Sequence, residues 1–326
     1  MWRTTPGWRL VSASLLCLVA AGLGDAHAQA RVHPVGVILP GGNYAQGLVG
    51  LREGLRELGF VEGTQYSLLV RETKGDLKAA ATIAKSLEAD KVDVILALGS
   101  SSAFEAMQAT QRVPIVFHSG ADPVRLGLVE NYRKPGGRLT GVSSQSRVLA
   151  PKRLELLREM LPTARRVIIF YNPDNPTMDL RSVRDSGRSL KIQLIERHVR
   201  SPEELRTALR ALKPDDADAI FHVGEALASS QGEAIIETGL AKHLPTMFQD
   251  EGAVALGALA SYGVSYRAIG QLAARHVHRI LLGARPGDLP VERVDRLHFA
   301  INLKTAKTIG VTIPAAVLAR ADEVIQ

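Results

Sequence analysis

From residue 35 onward the chain alternates apolar runs of strand length with segments of helical periodicity, and that alternation leaves few folds open. Val35-Gly36-Val37-Ile38-Leu39 is continuously apolar, the pattern of a strand covered on both faces. Leu48, Leu51, Leu55 and Leu58 follow at helical spacing. A strand over 66–70 comes next, then a helix marked by Leu77, Ala80, Ile83, Ala84 and Leu87. Buried strands are expected at 92–98 and 115–117, with a helix opening at Ala103 between them. Lys134-Pro135-Gly136-Gly137 forms a turn, 139–142 is extended, and a second series begins. It has a helix at Leu154, Leu157 and Leu161, strands at 167–171, 192–195, 219–223 and 245–248, and a helix over 234–240. Ser201-Pro202-Glu203-Glu204 supplies an N-cap serine, a proline at the first helical position and a glutamate three residues on, a capping box. The expected fold is α/β: two doubly wound parallel-sheet lobes with right-handed crossovers.

The first 28 residues read as a secretory signal peptide. Arg3 and Arg9 precede an apolar run over 10–24, too short for a comfortable membrane span, and Ala26-His27-Ala28 is a small-residue exit. Cleavage is predicted after Ala28, which places the mature chain in the periplasm. Cys17, the single cysteine, leaves with that segment, so no disulfide or thiolate chemistry is available. A chain of about 300 residues buries roughly 75% of its unfolded surface, enough to stand on its core alone.

Loss of Arg3, Arg9 and Asp25 lowers the formal charge from +7 to +6. The arginines are scattered, as in RSVRDSGRSLK over 181–191, and aromatics are only 5%, too few for base stacking. Nucleic acid is therefore not an expected partner, and the chain is expected to be a monomer. No phosphate loop, dinucleotide fingerprint, zinc-protease motif or nucleophile elbow occurs. His276 and His278 stand two apart on a helix, so they diverge and cannot share a metal; both are expected to be partly exposed. No catalytic residue, metal ligand or cofactor is expected.

Ligands of open α/β sheets bind beyond the carboxyl ends of the strands. Those loops carry Gly42, Asn43 and Tyr44 after the first strand and Gly99, Ser100 and Ser101 after the third. His118, Ser119 and Asp122 follow the fourth. The second series contributes Tyr171, Asn172 and Asn175, then Glu225, then Gln249, Asp250 and Tyr262. Amides and hydroxyls at Ser100 and Ser101 suit a ligand carboxylate; serines there also serve simply as helix caps. Asp122 and Glu225 suit a ligand amine, and Tyr44, Tyr171 and Tyr262 an apolar body. Asp122-Pro123 reads equally as a turn.

The chain resembles the substrate-binding proteins of one family of bacterial ABC transporters, whose better-understood members bind aromatic amino acids. The matching strings keep one order: GLRELGFVEG (54–63), VDVI (92–95), VPIV (113–116), DPV (122–124), GLV (127–129), PGGRLTG (135–141), KRLELL (152–157) and YNPDNP (171–176). They continue with SYG (261–263), ILLG (280–283), DLPVE (288–292), INLKTA (301–306), GVTIP (310–314) and LARADEVI (318–325). The resemblance implies a type I periplasmic-binding fold, two lobes joined by a three-crossover hinge. Laid on this chain, it puts 31–143 and 263–293 in the first lobe, and 144–262 and 294–326 in the second. It also implies a periplasmic solute-binding protein of an ABC importer that closes over a small ligand, carboxylate-bearing and aromatic or amino-acid-like. Its partners would be a membrane permease and an ATPase. The alternatives are a ligand-sensing extracytoplasmic subunit of a receptor and, from another class, an exported α/β hydrolase or transferase. Two stretches depart from the family pattern: 249–260 is small and apolar, and GEALASS over 224–230 lacks the usual aspartate and aromatics. The second-lobe side of the pocket is therefore expected to differ.

Overall fold

The computed structural model describes residues 31–294 and 296–326. The signal peptide expected over 1–28 lies outside the described residues. In the first lobe, β1 (His33–Leu39), α1 (Ala45–Glu57), β2 (Tyr66–Glu72), α2 (Leu77–Ala89), β3 (Val94–Leu98), α3 (Ser100–Ala109), β4 (Ile115–Ser119) and β5 (Leu139–Ser143) follow one another. The second lobe has α4 (Ala150–Met160), β6 (Arg166–Tyr171), α5 (Arg181–Ser189), β7 (Gln193–His198), α6 (Pro202–Ala211) and β8 (Ala219–Phe221). It goes on with α7 (Ala226–Ser230), α8 (Gly232–Ala241), β9 (Thr246–Asp250), α9 (Gly252–Ala255) and β10 (Ala260–Val264). The chain then returns to the first lobe for α10 (Tyr266–Leu281) and β11 (Glu292–Arg293). It ends in the second with β12 (His298–Asn302), α11 (Leu303–Ile309), α12 (Ala315–Leu318) and β13 (Glu323–Ile325).

The first sheet has the order β11-β5-β4-β3-β1-β2 and is parallel throughout. β3, β4 and β5 are buried at every residue, as strands covered by helices on both faces must be. Leu51 and Leu55 of α1 and Ile269, Ala273 and Val277 of α10 fill one face; Ala84, Leu87, Ala103 and Ala106 fill the other. The second sheet has the order β13-β12-β10-β9-β8-β6-β7 and is likewise sandwiched between two clusters.

Three crossings join the lobes, after β5, after β10 and after β11. They explain the one departure from parallel pairing: β10 and β12 run antiparallel, with Ala260 opposite Ile301. β10 leaves the second lobe at the hinge and β12 enters it there, so neighbouring strands with their hinge ends together must point in opposite directions. β10 runs to Val264, and Ser265 caps α10, which packs on the first sheet. β3 starts at Val94, two residues later than expected, because Asp93 is a surface anchor that accepts from Arg31 and bonds His33. α10 buries His276, which was expected to be partly exposed, while His278 packs edge-on against Phe60.

Candidate functional site

The carboxyl ends of β1 to β4 face those of β6, β8 and β9. On the first-lobe side, Gly42–Tyr44 make one 3-10 turn before α1 and bury the Tyr44 ring. That ring lies 4.4 Å from Tyr266 and 6.0 Å from His118, and His118 meets Tyr266 edge-on at 5.7 Å. Behind the Tyr44 ring, Gly99 has a φ of +98°, a backbone conformation that suits glycine, and an added Cβ would make only an ordinary contact with the ring at 3.6 Å. Burial pushes both tyrosine hydroxyls up and the His118 imidazole down to about 3, so all three rings are neutral.

On the second-lobe side, Glu225 is fully buried. Its Oε2 accepts from the Leu227 and Ala228 amides, which caps α7, and its Oε1 accepts from Asn175 Nδ2 at 2.8 Å. Burial raises the Glu225 carboxyl and lifts that of Asp250 to about 6. The two sides touch directly. Asn43 Nδ2 donates to Asp250 Oδ1 at 2.6 Å, Gln249 Nε2 to Tyr266 Oη at 2.8 Å, and Ser230 Oγ to the Lys74 carbonyl at 3.0 Å. α7 seats against two glycines: a Cβ on Gly42 would lie 2.5 Å from the Ser229 carbonyl, and one on Gly75 2.4 Å from Leu227 Cα. Beside this contact a cleft of about 1020 Å³ remains open, lined from the first lobe by Gly120–Asp122 and Arg125 and from the second by Thr177–Asp179 and Arg181.

Two arginines of the first crossing stand at this junction. Arg147 lines the cleft and donates from Nη2 to Thr177 Oγ1 at 3.1 Å. Arg153, on α4, is fully buried and donates from Nη1 to the Ser146 carbonyl at 2.9 Å. Burial lowers both guanidinium groups, Arg153 to about 10.

Several expected site residues do other work. Ser100 is neither a free clamp nor a cap. α3 starts on it, with Gly99 at the N-cap position, and its Oγ accepts from the Gly120 and Ala121 amides at 3.1 Å each and from Ser119 Oγ at 3.0 Å. It therefore fixes the loop after β4. Ser101 is buried in the first turn of α3. Asp122 lines the cleft, but its Oδ1 accepts from the Val124 amide, so the turn reading describes it. Asn172 closes its own turn by accepting from the Asp174 amide, and Asn175 holds both Glu225 and Thr177. Tyr171 points away from the cleft, bonded to Glu196 at 2.7 Å and His198 at 2.8 Å on β7. Tyr262 packs against Phe299 and the core of its own lobe. Both tyrosines sit on strand faces that the helices cover, a choice of face that an unbroken apolar run does not announce.

The residues that sequence reasoning missed are Gly75, Arg147, Arg153, His222 and Tyr266. Gly75 had a usable signal, since the loop after β2 is also a strand end on this side. Arg153 lies within the family-like KRLELL string and Tyr266 just past SYG.

Two serine–histidine pairs do form, Ser144–His118 at 2.9 Å and Ser229–His222 at 3.2 Å. Neither suits nucleophilic catalysis. Burial takes both imidazoles to about 3, too weak a base to accept a serine proton. His222 Nδ1 accepts from the Gly224 amide, so Nε2 carries the hydrogen and donates to Ser229.

A family model for ABC transporter substrate binding proteins matches residues 34–325. The chain belongs to that family. It is a binding protein, not an enzyme. It is 28% identical over 262 residues to a tyrosine-binding protein of Clostridioides difficile, an alignment covering 80% of this chain and 75% of that protein. Among solved structures, a conserved domain protein of Vibrio cholerae superposes with a TM-score of 0.79 at 28% identity, covering 90% of this chain and all of the other. An ABC domain from Streptococcus pneumoniae in complex with L-Trp superposes with a TM-score of 0.78 at 24% identity, again over 90% of this chain and all of that one. These likenesses agree with two α/β lobes of the type I periplasmic-binding kind. Among the described residues, no helix is long and apolar enough to cross a membrane.

Proposed function

We propose that this protein is the periplasmic solute-binding component of an ABC importer, exported with cleavage after Ala28. It holds an aromatic, amino-acid-like carboxylate between its lobes. The observation that carries this reading is the neutral aromatic wall of Tyr44, Tyr266 and His118, bridged across the lobes by Asn43–Asp250 and Gln249–Tyr266. The three rings are buried where the lobes touch, beside the open cleft rather than lining it; a ligand ring that meets them there by stacking or edge contact gains about 0.5–1.5 kcal/mol beyond the area buried. The tyrosine-binding relative points to the same ligand class. The protein's work is differential affinity: ligand contacts made from both lobes favour the closed form, which the permease and its ATPase would read. A micromolar Kd corresponds to about 8 kcal/mol, within reach of one buried ring and one held carboxylate. Calorimetric titration of the exported protein with the twenty amino acids and with phenylpyruvate tests the ligand. Micromolar or tighter binding of an aromatic member is expected. Binding confined to aliphatic or sugar ligands would overturn it. Mass spectrometry of the exported protein should show Gln29 as its first residue, and an intact Met1 would refute the cleavage.

A further inference from the structure

Arg147 is attached to both lobes at the hinge. Its backbone amide donates to the Gly120 carbonyl of the first lobe at 3.2 Å, and its Nη2 to Thr177 Oγ1 of the second at 3.1 Å. Its Nε and Nη1 are buried and have no hydrogen-bond partner. Among the described residues it forms no ion pair, because the neighbouring acids are engaged elsewhere. Glu225 spends both oxygens on Asn175 and the start of α7, and Asp179 pairs with Arg181 and, at 3.7 Å, Arg125. A guanidinium is a pure donor that stays charged, so donors buried without an acceptor are costly.

Resting on the reading that this cleft takes the ligand, we infer that Arg147 receives the ligand's carboxylate and makes closure of the lobes conditional on it. With the lobes apart, water solvates the guanidinium. Closure onto a carboxylate replaces that water with a charged acceptor; closure without one strands two donors. The surroundings select the anion. The cleft sets Asp122, Asp179 and Asp185 against Arg125, Arg147 and Arg181, so its charged side chains cancel: a zwitterionic amino acid leaves it neutral, whereas a dianionic phosphate leaves an excess of two negative charges. α4 starts beside the same cleft, which Pro151 of its first turn and Val148 just before it line, and it has no side-chain cap, so its dipole favours an anion there. Arg153 also leaves Nε and Nη2 buried without a partner, but it is fully buried and does not line the cleft, which makes it the poorer candidate.

The test pairs each amino acid with its decarboxylated counterpart: L-tyrosine with tyramine and L-tryptophan with tryptamine, titrated into wild type and Arg147→Gln. Wild type should prefer the acid. Arg147→Gln should weaken the acid at least tenfold, the size of one charged hydrogen bond, and leave the amine unchanged, so the preference collapses. Unchanged acid affinity, or an equal loss for acid and amine, overturns the inference. Melting curves accompany each titration; should Arg147→Gln not fold, Arg147→Met is the second neutral variant with the same expectation. If wild type binds none of the four probes, the aromatic-ligand reading fails separately. The arginine is then read with sodium acetate against sodium phosphate at matched ionic strength. An acetate-induced rise in melting temperature that the variant lacks supports the carboxylate site. Equal rises in both proteins, no rise with acetate, or a rise with phosphate alone overturn it.

Discussion

Gly75→Ala should hold the lobes apart while leaving each lobe folded. Gly75 has φ +80°, and an added Cβ would meet Leu227 Cα at 2.4 Å and Leu227 N at 2.8 Å. Carbon atoms settle at about 3.5–4.0 Å, so α7 would have to retreat by roughly 1 Å. It cannot do so within its own lobe, because Glu225 caps it and Leu227 and Ala228 are buried in the core. The retreat must come from the hinge, and the cross-lobe bonds on either side go with it: Asn43–Asp250 at 2.6 Å and Ser230–Lys74 at 3.0 Å. A bond to a charged group contributes about 1.5–3 kcal/mol and a neutral one about 0.5–1.5. The closed form therefore loses about 2–4.5 kcal/mol, or roughly 30- to 2000-fold in ligand affinity. The left-handed backbone costs alanine about 1–2 kcal/mol whether the lobes are open or closed. Gly63→Ala is the matched control, since Gly63 has φ +86° and open space where the Cβ would go. Small-angle scattering with and without an aromatic amino acid should show wild type and Gly63→Ala contracting and Gly75→Ala staying extended. Contraction of Gly75→Ala with wild-type affinity, or an equal affinity loss in Gly63→Ala, would refute the reasoning.

Ser100→Ala should lower stability by about 2–6 kcal/mol, because it strands the buried Gly120 amide and the part-buried Ala121 amide at about 1–3 kcal/mol each; a loss below about 1 kcal/mol in chemical denaturation would return Ser100 to the role of a cap. The Asp250 carboxyl is raised by burial from 3.8 to about 6, so the folded protein holds its proton more tightly than the unfolded chain. Its contribution is full below about pH 4 and is lost as pH rises to about 6. The melting-temperature difference between wild type and Asp250→Asn should therefore slope across that window and be flat above it; a flat difference throughout contradicts the raised value. Tyr171→Phe removes the bonds to Glu196 and His198 and should cost about 1–2 kcal/mol of stability with ligand affinity unchanged; calorimetry showing weaker binding would place Tyr171 in the site after all.

The architecture is legible in the residue pattern alone. Apolar runs such as 35–39 and 115–117 are too hydrophobic for a strand with a wet face, and the helical stripes between them specify parallel crossover units. The pattern also marked loops that meet across the two lobes, since carboxyl ends of strands can be counted along the chain. Only the tertiary structure decided what those loops do. Pattern cannot show that the Ser100 hydroxyl is consumed by two amides about twenty residues away, or that Tyr171 and Tyr262 face their own lobe's core. Nor can it show that Arg147, an ordinary arginine after a strand, lines the cleft with two buried donors unpaired. Those outcomes depend on which buried donor finds which acceptor, a long-range pairing set by hinge and register. The late strands escaped for the same reason. β11 has two residues and β13 three, and each exists only because a neighbouring edge is there to pair with it.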